Sequence, residues 1–130
     1  MQKDPDLNNA KGGEWTGVMF DEINQIEEDY YDIMKSRAGR CNEFEGGNIK
    51  PFIIGTCNPT NNWVKSRFYD KWKNGTLDKS VFFQLSLPTD NPFLLDSYFD
   101  AIKELPKAQY NRYVLGDWEY NDDVNSLIRY

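Results

Sequence analysis

The chain has 130 residues, with 15 Lys and Arg against 21 Asp and Glu, and no His. That length suits one domain with a real core, and an aromatic share of 15% excludes disorder as a description of the whole chain. The lack of histidine removes imidazole metal ligands and every mechanism with a histidine base, so acid–base chemistry must rest on carboxylates, Lys, Tyr or Cys.

Residues 1–12 are polar and turn-rich and read as a loop or frayed start, without the apolar stretch of a signal peptide. No apolar run approaches the roughly 18 residues that a membrane helix needs. Residues 14–20 read as a short strand, and its centre, Val18-Met19-Phe20, is continuously apolar, as in a strand buried on both faces. Asp21 ends it. From Glu22 the period changes, with Ile23, Ile26, Tyr30, Ile33 and Met34 spaced mostly three or four apart. This pattern predicts an amphipathic helix from Glu22 to about Ala38. Its early carboxylates and late Lys35 and Arg37 suit the helix dipole, and Gly39 is a plausible stop.

Residues 41–50 contain Gly46-Gly47 and read as a loop. Cys41 and Cys57 are the two cysteines, too few for a disulfide framework, which fits a reduced, cytoplasmic chain. Pro51 opens a second buried strand, Phe52-Ile53-Ile54-Gly55-Thr56, followed by a turn cluster at Asn58-Pro59-Thr60-Asn61-Asn62. A helix is expected over residues 63–73, ended by Asn74-Gly75. Residues 81–87, Val-Phe-Phe-Gln-Leu-Ser-Leu, read as a third strand stopped by Pro88. Asp90-Asn91-Pro92 is expected to cap a helix over residues 93–105. Pro106 starts another helix, and Gly116-Asp117-Trp118 closes the pattern. Residues 121–130 read as a linker or truncated end. Alternating strands and helices imply an α/β layered fold with a mostly parallel sheet. Ligands in such sheets sit beyond the carboxyl ends of the strands.

Two of the three strands end in unusual polar residues at that edge. Gly17-Val18-Met19-Phe20-Asp21-Glu22 has the form of a Walker B element. A buried strand holds two carboxylates at the sheet edge. The first, Asp21, can hold Mg²⁺ directly or through water. The second, Glu22, can orient and deprotonate the water that attacks a γ-phosphate. The bland alternative has Asp21 capping the following helix with Glu22 in its first turn. The second strand ends in Thr56-Cys57-Asn58-Pro59. An ordinary Asn-Pro turn explains part of this, but a small polar tip beside the first one can also hydrogen-bond a phosphate or its water. The aromatic residues from Tyr110 to Trp118 read as packing.

Taken together, Gly17 to Glu22, Ser36-Arg37-Ala38-Gly39-Arg40, Gly55-Thr56-Cys57-Asn58-Pro59, Asp90-Asn91-Pro92-Phe93 and Gly116-Asp117-Trp118 occur in an order and spacing that resembles the large subunit of tailed-phage terminases. These are the ATP-driven motors that package double-stranded DNA. The resemblance spans about residues 13–120. It implies the second half of a P-loop NTPase domain of the additional-strand, catalytic-Glu class. It further implies Asp21 as the Mg²⁺-side carboxylate, Glu22 as the catalytic carboxylate, and Thr56, Cys57, Asn58 and Pro59 as the motif that couples hydrolysis to movement. The implied cofactors are Mg²⁺ and ATP. The implied partners are double-stranded DNA, the portal protein, the small terminase subunit and other copies in a ring, in the cytoplasm of the bacterial host and with no membrane.

The sequence also departs from that family. It holds no Gly-x-x-x-x-Gly-Lys-Ser/Thr phosphate-binding loop, which in the family lies upstream of Walker B, and no nuclease domain, which follows it. The expectation is therefore an excised segment, a split gene or a prophage remnant that has little ATPase activity alone. Arg37 and Arg40 suit the helix end electrostatically, and they are also candidates for contact with DNA phosphate or with a neighbouring subunit's nucleotide. The net charge of −6 argues against binding nucleic acid through the overall field. Lys65, Arg67, Lys71 and Lys73 read as an ordinary solvated face. The competing readings are a catalytically inactive remnant or interaction module, and a fragment of another P-loop motor such as a helicase.

Overall fold

A computed structural model of the chain describes residues 15–39 and 50–120. The expected loop at 1–12, the tail at 121–130, Cys41 and Arg40 lie outside the described residues. The chain divides between Cys57 and Asn58 into two compact units, Met1–Cys57 and Asn58–Tyr130. The fold is α/β, with four α-helices and a two-stranded parallel sheet among the described residues.

The first unit is built on strands β1 (Gly17–Phe20) and β2 (Phe52–Gly55), paired in parallel from Gly17↔Phe52 to Phe20↔Gly55. Side chains alternate along the pair. Val18 and Phe20 are buried, while Met19, Phe52 and Ile54 are exposed on the opposite face. The strand expected to be covered on both sides is covered on one.

After β1 the chain makes a 3₁₀ turn at Ile23–Gln25, and helix α1 spans Glu28–Arg37. The helix expected from Glu22 thus begins six residues later. The reason is local. Glu22 adopts a left-handed conformation (φ 54°, ψ 52°) and Ile26 is extended, so no continuous i→i−4 ladder can run through them. The Ile23 amide instead donates to the Thr56 carbonyl at 2.9 Å, which ties this turn to the chain leaving β2. Ile23 packs on Gly55 so closely that a Cβ there would meet its Cδ1 at 2.9 Å. Glycine at the end of β2 is what lets Ile23 bury. Ile26 and Tyr31 complete this core, and Tyr31 meets Phe20 with ring centroids 6.0 Å apart. Glu28 and Asp29 in the first turn of α1, and Lys35 and Arg37 in the last, complement the dipole as expected.

The second unit begins at Asn58. Residues 63–73 are helical, as expected, but the middle of this helix, Lys65–Tyr69, is a π turn that runs into α2 (Asp70–Lys73). Residues 81–87 are not the expected third strand. They carry no regular secondary structure and pair with no described strand. Their alternation is real, since Val81 and Phe83 are half-buried and Phe82 is 85% exposed. An alternating pattern fits the side chains to a surface, but a ladder also needs a neighbouring backbone.

The expected cap at Asp90-Asn91-Pro92 is displaced too. Pro88–Asp90 forms a 3₁₀ turn in which the Asp90 carboxylate accepts the Leu87 amide at 2.7 Å. Asn91 Oδ1 accepts the Phe93 amide at 3.0 Å, which makes a local turn. Helix α3 follows only at Asp96–Ile102, and α4 spans Lys107–Tyr113.

Aromatic packing holds this unit. Trp118 stacks on Tyr69 (centroids 5.3 Å apart, planes within 10°), and Phe83 meets the edge of Trp118 and lies against Trp72. Gly116, at φ +63°, makes the corner that turns the chain from α4 back to Trp118. Lys73 and Glu119 form an exposed ion pair at 2.6 Å. The hydrogen bond to Lys73 holds the Glu119 carboxyl below its ordinary range, and the same bond raises Lys73. The pair therefore helps the fold at neutral pH. Its contribution fades as acid protonates Glu119 through its lowered value, and again as alkali deprotonates Lys73 through its raised one. Salt screens it, because both groups face water.

Candidate functional site

The parallel register fixes the geometry of the strand ends. Phe20 pairs with Gly55, so Asp21 and Thr56 are the next residues at the same, carboxyl edge of the sheet. The ladder runs one step past the strands, because the Thr56 amide donates to the Phe20 carbonyl at 2.9 Å. The Thr56 hydroxyl then donates to Asp21 Oδ1 at 2.7 Å. This bond spans 35 positions in sequence and is short, as expected when a carboxylate accepts it. Asp21, Glu22 and Thr56 are all exposed, so the rim is open to solvent.

The capping role for Asp21 is not what the structure shows. Neither the 3₁₀ turn nor α1 has a side-chain cap, and Glu22 and Glu27 occupy the cap positions. The Asp21 carboxylate goes to Thr56 instead. Glu22 is the one non-glycine with positive φ among the described residues. A left-handed conformation costs an ordinary side chain about 1–2 kcal/mol. No described hydrogen bond from the Glu22 side chain offsets it, while the Glu22 carbonyl accepts the Gln25 amide at 2.9 Å. Strain of this kind gathers at functional positions. Replacing Glu22 with Gly should therefore leave stability equal or raise it by up to about 1 kcal/mol in urea melting, whereas Glu22→Ala should not. A clear loss with Gly would show that the glutamate side chain supports the fold.

The four residues after the second strand do not stay together. Thr56 and Cys57 belong to the first unit, and Asn58 and Pro59 to the second, so the join between the units falls inside this tetrapeptide. Partial burial pushes the Cys57 thiol up, so it is the neutral thiol at neutral pH and not a ready nucleophile. Asn58 is exposed and Pro59 is buried. Arg37 stands at the last turn of α1, where its carbonyl accepts the Trp15 amide at 3.4 Å. Of the other basic residues, Lys65 pairs with Asp70 at 3.3 Å, Lys73 pairs with Glu119, and the Arg67 guanidinium lies 5.9 Å from the Phe68 ring centre. Lys65 and Arg67 are half-buried, while Lys71 and Lys73 are exposed.

Arg112 does not stand out in the sequence, yet it is well placed in the structure. Its Nε donates to the Pro59 carbonyl, and its Nη2 donates to Thr60 Oγ1 at 3.1 Å. The signal was an arginine set between two tyrosines, Tyr110 and Tyr113, in the last turn of α4.

No group of three or more His, Cys, Asp or Glu is placed to hold a metal among the described residues. The donor set nevertheless suits Mg²⁺, which is commonly held by one or two carboxylates together with water and phosphate oxygens. Asp21 Oδ2 takes no described bond and is the oxygen left to serve that role. No described helix is long and apolar enough to cross a membrane. The chain matches no protein-family model, and no match to a curated protein or a solved structure was found.

Proposed function

We propose that the chain is part of the ATPase motor of a phage terminase large subunit, a machine that couples ATP hydrolysis to the packaging of double-stranded DNA. The observation that carries this reading is the Thr56–Asp21 bond at the carboxyl edge of two parallel strands, with Glu22 strained beside it. Nucleotides in α/β sheets bind at that edge. In this reading Asp21 holds Mg²⁺, which would neutralise phosphate charge when bound. Glu22 orients the attacking water and accepts its proton. Thr56 keeps Asp21 in place and senses the phosphate side, and Cys57, Asn58 and Pro59 pass the change on. Partners, ring assembly and DNA contact through Arg37 or Arg40 belong to the same proposal, as does a P-loop NTPase fold of the additional-strand class.

The rim offers carboxylates but no phosphate-binding loop, and two acids repel a polyanion. The chain alone should bind Mg–ATP more weakly than about micromolar, as read by titration calorimetry. Joined to an upstream segment that carries a phosphate loop, it should hydrolyse ATP. A joined protein that folds and binds ATP, yet never turns it over, would overturn the proposal in favour of an inactive interaction module.

A further inference from the structure

Within the second unit, one side chain grips the start of that unit from its far end. Arg112, on α4, donates from Nε to the Pro59 carbonyl and from Nη2 to Thr60 Oγ1 at 3.1 Å. The Thr60 hydroxyl in turn donates to the Asn58 carbonyl at 3.0 Å. One guanidinium thus restrains the carbonyls of both Asn58 and Pro59, one directly and one through a hydroxyl. The remaining side of the fork is occupied as well. Nη1 donates to the Tyr113 hydroxyl at 3.1 Å, and the guanidinium carbon lies 4.9 Å and 5.1 Å from the Tyr113 and Tyr120 ring centres. A planar fork held by two rings and three acceptors has little freedom left, and a lysine ammonium cannot reproduce it.

The same, C-terminal end of α4 is also anchored to the rest of the unit. Val114 is buried, the Asp117 amide donates to the Asn111 carbonyl at 2.9 Å, and Trp118 stacks on Tyr69. A push on residues 58–60 therefore meets a helix that cannot yield independently of the aromatic cluster.

We propose that Arg112 is a positioning residue of the coupling segment, locking residues 58–60 to α4 so that displacement arising at Thr56 reaches α4 and the Trp118 corner. This inference rests on reading residues 56–59 as the coupling motif. The link itself is mechanical and needs no nucleotide to be measured.

The test is a double-mutant cycle on the full chain, read by the amide resonances of a ¹⁵N-labelled sample. Thr56→Val breaks the bond to Asp21 and serves as the perturbation. With Arg112 present, it should shift the resonances of residues 58–60 and also those of residues 107–118. In an Arg112→Gln background the shifts at 58–60 should persist, while those at 107–118 fall about twofold or more. Arg112→Lys should not restore them. A merely structural arginine would change both spectra by a constant offset and leave the response to Thr56→Val unchanged. If Arg112→Gln fails to fold, Thr60→Ala, which removes one acceptor and the link to Asn58, decides in its place. Equal responses with and without the grip, or no response at 107–118 in the parent chain, would overturn the inference. ATP hydrolysis by the joined protein is a separate readout. Turnover with an intact wild-type pattern but no cycle effect would remove Arg112 alone. A cycle effect without turnover would remove the ATPase reading and leave the mechanical link standing.

Discussion

Changing Glu22 to Gln in the joined protein should reduce ATP turnover by about a hundredfold to ten-thousandfold, the range that a positioned general base supplies. Gln keeps the shape and the left-handed backbone demand of Glu22, so the fold should be unaffected. What it loses is the negative charge and basicity of the carboxylate, so it cannot take the water's proton. ATP affinity should stay within about threefold, because the substitution alters a group that acts on water and not the phosphate cradle. A steady-state assay with a matched binding titration separates the two. Unchanged turnover would remove Glu22 from its role, and Asp21 with Thr56 would then be a structural bond at a sheet edge. A large loss of ATP affinity with unchanged turnover would instead place Glu22 among the binding groups.

The largest expected effect on stability lies in the second unit. Trp118→Ala should cost about 3–5 kcal/mol, as for other buried large aromatics. Trp118 is 4% exposed and meets Tyr69 face to face and Phe83 edge to face. Among the described residues of this unit, the other buried side chains are Pro59, Val64 and Val114. Removing the indole leaves a void that neighbouring rings cannot fill without giving up their own contacts. Amide hydrogen exchange should show lost protection over residues 63–73 and 107–113. The amides of β1 and β2, which belong to the first unit, should keep theirs. Phe82→Ala provides the control, since a side chain so exposed should cost under about 0.5 kcal/mol. A loss below about 1 kcal/mol for Trp118→Ala would mean that this cluster is not the core.

Much of the candidate rim was legible in the sequence, because two short apolar runs broken by polar residues leave few other foldings. The pattern Val18-Met19-Phe20-Asp21 located the end of β1, and Ile53-Ile54-Gly55 located that of β2. What periodicity cannot report is whether a partner backbone is present. Residues 81–87 alternate as a strand should, yet they form none among the described residues. Nor does periodicity see backbone handedness. Ile23 and Ile26 fit a helical stripe, but they are buried from a 3₁₀ turn and an extended residue, because the chain must first cross over Gly55. The caps failed in the same way. Asp90 satisfies Leu87 behind it, and Asn91 satisfies a turn, so neither opens α3. Arg112 escaped notice because its importance comes from acceptors more than fifty positions away.

In the proposed motor the edge shared by Asp21 and Thr56 would face a metal-bound nucleotide. Paramagnetic broadening tests it most directly. Mn²⁺ with ATP, added to the labelled joined protein, should erase the amide signals of residues 20–22 and 56 first, and should affect far less those of residues 35–37, which lie beside Trp15 at the opposite end of β1. Asp21→Asn should abolish the effect at low Mn²⁺. Signals at 20–22 and 56 that stay sharp while others broaden would place the nucleotide elsewhere and contradict the account.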